Sequence, residues 1–220
     1  LRNAVETGAP VRRNLRTADV QTLRNGARET LGISANARVV VVMGGSLGSA
    51  VLNSATEHLV QSLRSTEHTC VIHIAGERFM DAVKLPVTMH HNNGTLAYSR
   101  IAYSHDMVTL YSAADVVVCR AGASTIAEVS TVGVCAVVVP WKDAAENHQL
   151  VNAQWLTDRG GAVLLEEGNL TDHEFSFLIT ELLRDDDRRA TIASRARELG
   201  AVHRQSSIAS VIEGVAKAQL

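Results

Sequence analysis

The sequence predicts an α/β fold built as a parallel, doubly wound sheet. Short β-branched runs recur along the chain, and each is followed by small residues and then by apolar residues at helical spacing. The 220 residues are 46% hydrophobic and 20% charged, which is enough apolar matter for one sizeable core. Aromatic residues are only 4%, so that core is aliphatic.

Residues 39–43, Val-Val-Val-Val-Met, are apolar on both faces, as a strand covered by helices on two sides requires. Gly44-Gly45-Ser46-Leu47-Gly48 follows, and then Val51, Leu52, Ala55, Leu59, Val60 and Leu63 recur with helical spacing. Residues 70–75 read as a second strand, 96–103 as a third and 107–113 as a short helix. Residues 116–119 form the next strand, running through Arg120-Ala121-Gly122-Ala123-Ser124-Thr125 into a helix that Gly133 stops. Residues 135–139 read as a further strand closed by Pro140. A polar loop, a helix over 148–158 and a last strand at 162–165 follow. From Thr171 the pattern is helical, opened by the capping box Thr171-Asp172-His173-Glu174.

Residues 1–36, with Arg12, Arg13, Arg16, Arg24 and Arg28, read as a linker and a short helix entering a domain that spans 37–220. The stretch 86–93, with His90-His91-Asn92-Asn93, has no periodicity and reads as a surface loop. Because the chain starts at Leu1 and a polar stretch precedes its first strand, it is expected to be a piece of something larger.

A formal net charge of -2 argues against a general nucleic-acid binder. No apolar run approaches the ~20 residues that span a bilayer, and no signal peptide is evident. Cys70, Cys119 and Cys135 are odd in number and form no CxxC pair, which disfavours a disulfide framework or a zinc knuckle and fits a reducing cytosol. Cys70 and Cys135 read as inert core thiols. Cys119 lies beside Arg120, which could lower its pKa, but no partner His is evident.

In an open α/β sheet, ligands sit at the carboxyl ends of the strands. The glycines of residues 44–48 let an anion approach backbone N–H groups at a helix start, although the same loop reads equally well as an ordinary tight turn. It is neither a Walker A loop nor a Gly-x-Gly-x-x-Gly dinucleotide motif, since Ser46 and Ser49 stand at the second and third glycine positions. The turn 120–125 is the second such site. Glu128 follows one helical turn on, and a carboxylate there can clasp the vicinal hydroxyls of a ribose; alone, it only complements a helix N-terminus. Two anion-ready turns in one sheet, one with an acid beside it, favour a nucleotide diphosphate. Asn147, His148 and Gln149 can donate to sugar hydroxyls, but a helix N-cap at Asn147 with solvated neighbours explains them on its own. His90-His91 reads as solvated rather than metal-binding, and Asp185-Asp186-Asp187 as a solvated turn.

Gly44-Gly45-Ser46-Leu47-Gly48-Ser49, the run from Tyr111 to Glu128 and Asn147-His148-Gln149-Leu150-Val151-Asn152-Ala153 resemble the MurG-like UDP-N-acetylglucosamine transferases of glycosyltransferase family 28. The resemblance covers nearly the whole chain and matches the carboxyl-terminal, donor-binding half. Cys135 departs from the family, which usually has proline there, and 84–93 does not follow the family pattern. The resemblance implies a Rossmann-like domain forming one half of a GT-B glycosyltransferase. The implied reaction is inverting, metal-independent and cofactor-free. It carries N-acetylglucosamine from UDP-GlcNAc to an undecaprenyl-diphospho-muramoyl-pentapeptide in peptidoglycan synthesis. Carried over by position, Arg12, Gly45 and Ser46 meet the diphosphate, the Ser104 backbone faces the uracil, and Ala123, Ser124 and Thr125 present the helix N-terminus to the diphosphate. Glu128 holds the ribose, and His148 with Gln149 binds the sugar. The acceptor site, the catalytic base and the contact with the cytoplasmic face of the membrane are expected in an absent amino-terminal half, leaving this half soluble and without nucleic-acid partners. Two alternatives remain: a UDP-sugar-binding module that needs a partner chain for catalysis, and a GT-B enzyme using another sugar. A hydrolase or epimerase would need Glu128 and His148 as an acid/base pair.

Overall fold

The computed structural model describes residues 7–63, 68–205 and 207–217. Positions 1–6 of the amino-terminal segment, and 64–67, 206 and 218–220 of the main domain, lie outside the described residues. Among the described residues, seven strands form one sheet: β1 (Arg38–Met43), β2 (Thr69–Ile74), β3 (Thr88–His90), β4 (Leu96–Ile101), β5 (Val116–Cys119), β6 (Ala136–Val138) and β7 (Val163–Leu164). Their order is β3-β4-β2-β1-β5-β6-β7, and every pairing is parallel except β3 with β4. The chain steps from β1 towards β2 and β4, then crosses back to β5, β6 and β7. The direction of winding therefore reverses between β1 and β5.

The helices before and between the strands are α1 (Arg13–Thr17), α2 (Val20–Thr30), α3 (Ala50–Leu63), α4 (Met107–Ala113), α5 (Ala123–Val132) and α6 (His148–Thr157). Then follow α7 (Asp172–Arg184), α8 (Asp186–Leu199), α9 (Ala201–Gln205) and α10 (Ile208–Lys217). The two-residue period of a strand sends alternate side chains to opposite faces. Val40, Val42, Val116 and Val118 meet Leu52 and Leu59 of α3 and Phe175 and Ile179 of α7. On the other face Val39, Val41 and Val117 meet Leu15, Leu110, Ile126 and Leu156. Two cores on one sheet make the double winding physical.

Local signals hold where the sequence carries them. Gly133 closes α5 in the left-handed conformation (φ 71°), and the Thr171 hydroxyl accepts from the Glu174 amide to start α7. Three expectations need correction. Residues 1–36 hold two helices in their described part, not one; Leu15 and Ile33 sit in the core, and Arg28 is buried and bonded to Ala35, Ala113 and Asp115 rather than solvated. The stretch 86–93 contains the edge strand β3, whose three residues are too few to show a period and are held by pairing with β4. His91 is not simply solvated, since its Nε2 lies 2.9 Å from the Thr69 carbonyl oxygen. The expected strand 96–103 ends at Ile101, which leaves Ser104 in the loop before α4. The aspartates at 185–187 are engaged as well: Asp185 caps α8 and Asp186 pairs with Arg38 and Arg189.

Candidate functional site

At the point where the winding reverses, neighbouring strands send their following loops to opposite faces and open a crevice at their carboxyl ends. The turn 44–49 leaves β1 on one side of this crevice, and the turn 120–125 leaves β5 on the other. A cavity of about 560 Å³ lies between them, with Gly45, Ser46, Thr125 and Gln149 in its lining.

Among the described residues, the backbone amides of Gly45, Ser46 and Leu47 have no protein acceptor. The first turn of α5 is open in the same way, since Gly122 at its N-cap brings no side chain and the first internal bond is Ile126 to Gly122. Ala123 and Ser124 are exposed, so their amides and that of Thr125 are free to meet an anion. The β1 turn is shaped by contact with the loop after β2. A Cβ on Gly48 (φ 71°) would lie 2.2 Å from the Ala75 carbonyl oxygen, and one on Gly76 would lie 2.6 Å from the Gly48 Cα.

Glu128 shares a helix face with Ser124 and Thr125. Its Oε2 accepts from the Tyr111 hydroxyl at 3.2 Å, and its Oε1 is 3.5 Å from the Arg12 guanidinium. Burial, and then the Glu128 charge, push the Tyr111 hydroxyl well above its ordinary pKa, so it stays a donor. The structure thus joins Arg12 to Glu128. Ser104 lies in the loop after β4, where its hydroxyl accepts from the Asp106 amide at 3.2 Å. Neither Ser104, Arg12 nor Glu128 lines the cavity.

Gln149 is fixed at the other wall. Its Oε1 accepts from the amides of Ala121 (3.2 Å) and Trp141 (3.0 Å), which turns its NH₂ group into the available donor. His148 is exposed outside the cavity lining, with Nδ1 2.8 Å from the Ala145 carbonyl oxygen. The expected N-cap at Asn147 is not made: it makes no side-chain cap bond, and both it and Glu146 are left-handed (φ 52°). Two consecutive non-glycine residues in that region store backbone strain in the turn that enters α6.

Two residues act here that the sequence reading gave no role. Tyr111 braces Glu128 from 17 positions away, with no local signal to betray it. Arg120, considered earlier only as a neighbour of Cys119, is buried and ties the cleft together. Its guanidinium donates to Ser49 Oγ (2.7 Å), Glu167 Oε1 (2.8 Å) and the carbonyls of Val139 and Pro140 (3.3 Å each). Glu167 in turn accepts from the Lys142 amide at 2.9 Å. Burial raises the Glu167 pKa, but the Arg120 and Lys142 hydrogen bonds and charges outweigh it and hold the carboxyl below its usual value. A cation directly after a buried strand was the available clue. Arg120 does not activate Cys119. Burial, then Glu128, pushes that thiol up to about 12, and burial raises Cys70 and Cys135 to about 12 as well. Among the described residues, no group of three or more His, Cys, Asp or Glu side chains could hold a metal ion.

The profile of the glycosyltransferase family 28 C-terminal domain matches residues 39–212. Proteins named UDP-N-acetylglucosamine--N-acetylmuramyl-(pentapeptide) pyrophosphoryl-undecaprenol N-acetylglucosamine transferase are similar to the whole chain. That of Burkholderia ambifaria is 33% identical over 222 residues, and that of Burkholderia thailandensis 34% over 226. Each alignment takes in 100% of this chain and 58% of the relative, so the chain spans little more than half the length of these proteins. The crystal structure of Acinetobacter baumannii MurG superposes with a TM-score of 0.66 at 28% identity, over 84% of this chain and 50% of that one. WaaG, a glycosyltransferase involved in lipopolysaccharide biosynthesis, shares the fold with a TM-score of 0.66 at 16% identity, over 94% and 55%.

Proposed function

The chain belongs to the glycosyltransferase family 28 C-terminal domains, the Rossmann-like half of a GT-B fold, and from that premise we propose that it is the donor-binding half of an inverting N-acetylglucosaminyltransferase. The donor is UDP-GlcNAc and the acceptor an undecaprenyl-diphospho-muramoyl-pentapeptide, the substrates that the relatives' names imply. The observation that carries this reading is the pair of turns with unoccupied amides, facing each other across β1 and β5 and sharing one cavity.

The diphosphate lies between the amides of 45–47 and those of 123–125, with the α5 dipole behind it. Glu128, aimed by Tyr111, takes the ribose hydroxyls, and the uracil extends towards the backbone at Ser104. Arg12 exchanges its contact with Glu128 for the α-side of the diphosphate. The Gln149 NH₂ group donates to a sugar hydroxyl, and His148 closes over the sugar from outside the cavity. In the transfer, an acceptor hydroxyl attacks the anomeric carbon as the bond to the diphosphate oxygen breaks. The electron pair leaves on UDP, and configuration inverts. Fixed amides stabilise the charge growing on the diphosphate without reorganising. The base, the acceptor contacts and the peripheral attachment to the cytoplasmic membrane face belong to the part of the relatives' length that this chain does not span. No helix among the described residues is long and apolar enough to cross a membrane.

Calorimetric titration of UDP, with and without EDTA, tests the reading. Wild type binds in both conditions, and Glu128→Ala weakens binding about 10-fold or more through the loss of charge-assisted hydrogen bonds. Equal affinity in the variant, or loss of binding in EDTA, contradicts it.

A further inference from the structure

The cavity exposes apolar surface that neither core requires. Leu47 is 70% exposed, Trp141 47% and Val51 38%, and with Phe79 they supply the apolar part of the cleft wall, Trp141 on the Gln149 side and the other three on the β1 side. None of the four belongs to either hydrophobic core. Exposed apolar groups lining a cleft mark a binding surface. The wall is also held in place. The Trp141 amide is anchored on Gln149 Oε1, the next residue's amide on Glu167, and Phe79 packs against Gly48 beneath the Arg78 guanidinium (4.6 Å).

The placement of the other contacts says which end of a nucleotide sugar meets this wall. Ser104 and Glu128, assigned to the base and the ribose, lie outside the cavity, as does Arg12 beside Glu128, whereas Ser46, Thr125 and Gln149 line it. A ligand with its ribose at Glu128 and its diphosphate at the two turns puts its sugar in the cavity and its base outside. Diphosphate and hexose hydroxyls call for polar partners. An acetamido methyl calls for apolar ones.

We propose that the wall formed by Leu47, Val51, Phe79 and Trp141 receives the N-acetyl group of the donor sugar, and that Trp141 and Leu47 are specificity-determining residues. This rests on the donor reading above and deepens it. The polar contacts hold any UDP-hexose, and the wall separates an N-acetylhexosamine from the parent hexose.

The test is titration of UDP, UDP-glucose and UDP-N-acetylglucosamine into wild type, Trp141→Ala and Leu47→Ala, with circular dichroism confirming the fold of each. Wild type prefers the N-acetylated donor over UDP-glucose by about 10-fold, the scale of one apolar group in a fitted pocket. Each variant lowers that preference by roughly threefold or more, and Trp141→Ala, which lies outside the diphosphate turns, does so while its UDP affinity stays within about twofold of wild type, since only the methyl contact is lost. Leu47 lies in an exposed turn, so Leu47→Ala keeps the test decisive should Trp141→Ala fail to fold. An unchanged preference in the folded variants, or none in wild type, overturns the wall assignment while UDP binding still supports the donor site. Failure of wild type to bind UDP overturns both.

Discussion

At the amino edge of the sheet, Asp115 accepts from the Arg24 and Arg28 guanidinia and from the Val39 amide (2.7 Å), and Arg28 also donates to the carbonyls of Ala113 and Ala35. At the carboxyl edge of the same strands, the amides of 45–47 and 123–125 have no acceptor among the described residues, and four apolar side chains line a cavity. One edge pairs its charged groups internally and welds the amino-terminal helices to the sheet. The other satisfies only its supports, Arg120 with Glu167 and Tyr111 with Glu128, and leaves its outermost donors open. Stability and binding are thereby assigned to opposite ends of β1 and β5.

The largest effect expected from breaking this division is at the amino edge. Asp115→Ala strands the buried Arg28 without its counter-charge and costs about 3–5 kcal/mol in urea denaturation. The UDP affinity of the folded variant is unchanged, because the site is remote from Asp115. A loss below about 1 kcal/mol would show that the ion pairs do not hold this edge.

A smaller effect comes from beneath the carboxyl edge. His73 is buried between Tyr98 and Asn53, and the Asn53 amide holds the Ala75 carbonyl under the Gly48–Gly76 contact. Burial, and then the Arg100 charge, lower its pKa from 6.5 to about 4. Between those values the unfolded chain binds the extra proton and the folded chain does not. Stability is therefore full above about pH 6.5 and falls by up to about 3 kcal/mol as pH drops towards 4. His73→Gln flattens that slope in denaturation curves taken across the range; an unaltered slope would place the titrating group elsewhere.

The division also explains what could be read from the sequence. The strands and most helices were legible because burial on both faces of β1 or on one face of α3 leaves a period in the residue types. The two small-residue turns were legible as turns because backbone access demands glycine and alanine. What was hidden depends on distant partners. Arg28 looked like a linker charge until Asp115, 87 positions away, was placed beside it. Tyr111, Arg120 and the apolar residues Leu47, Phe79 and Trp141 likewise come from separate segments that only the folded sheet brings to one edge. Asn147 misled because its residue type favours a cap, whereas the chain here bends through the left-handed region.

The most direct test of the account follows backbone amides by NMR while UDP is added to the chain. The account predicts large shifts and slowed exchange at Gly45, Ser46, Leu47, Ala123, Ser124 and Thr125, with Arg28 and Asp115 unmoved. Perturbation confined to the amino edge, or amides at both turns that stay as they were with UDP bound, would contradict it.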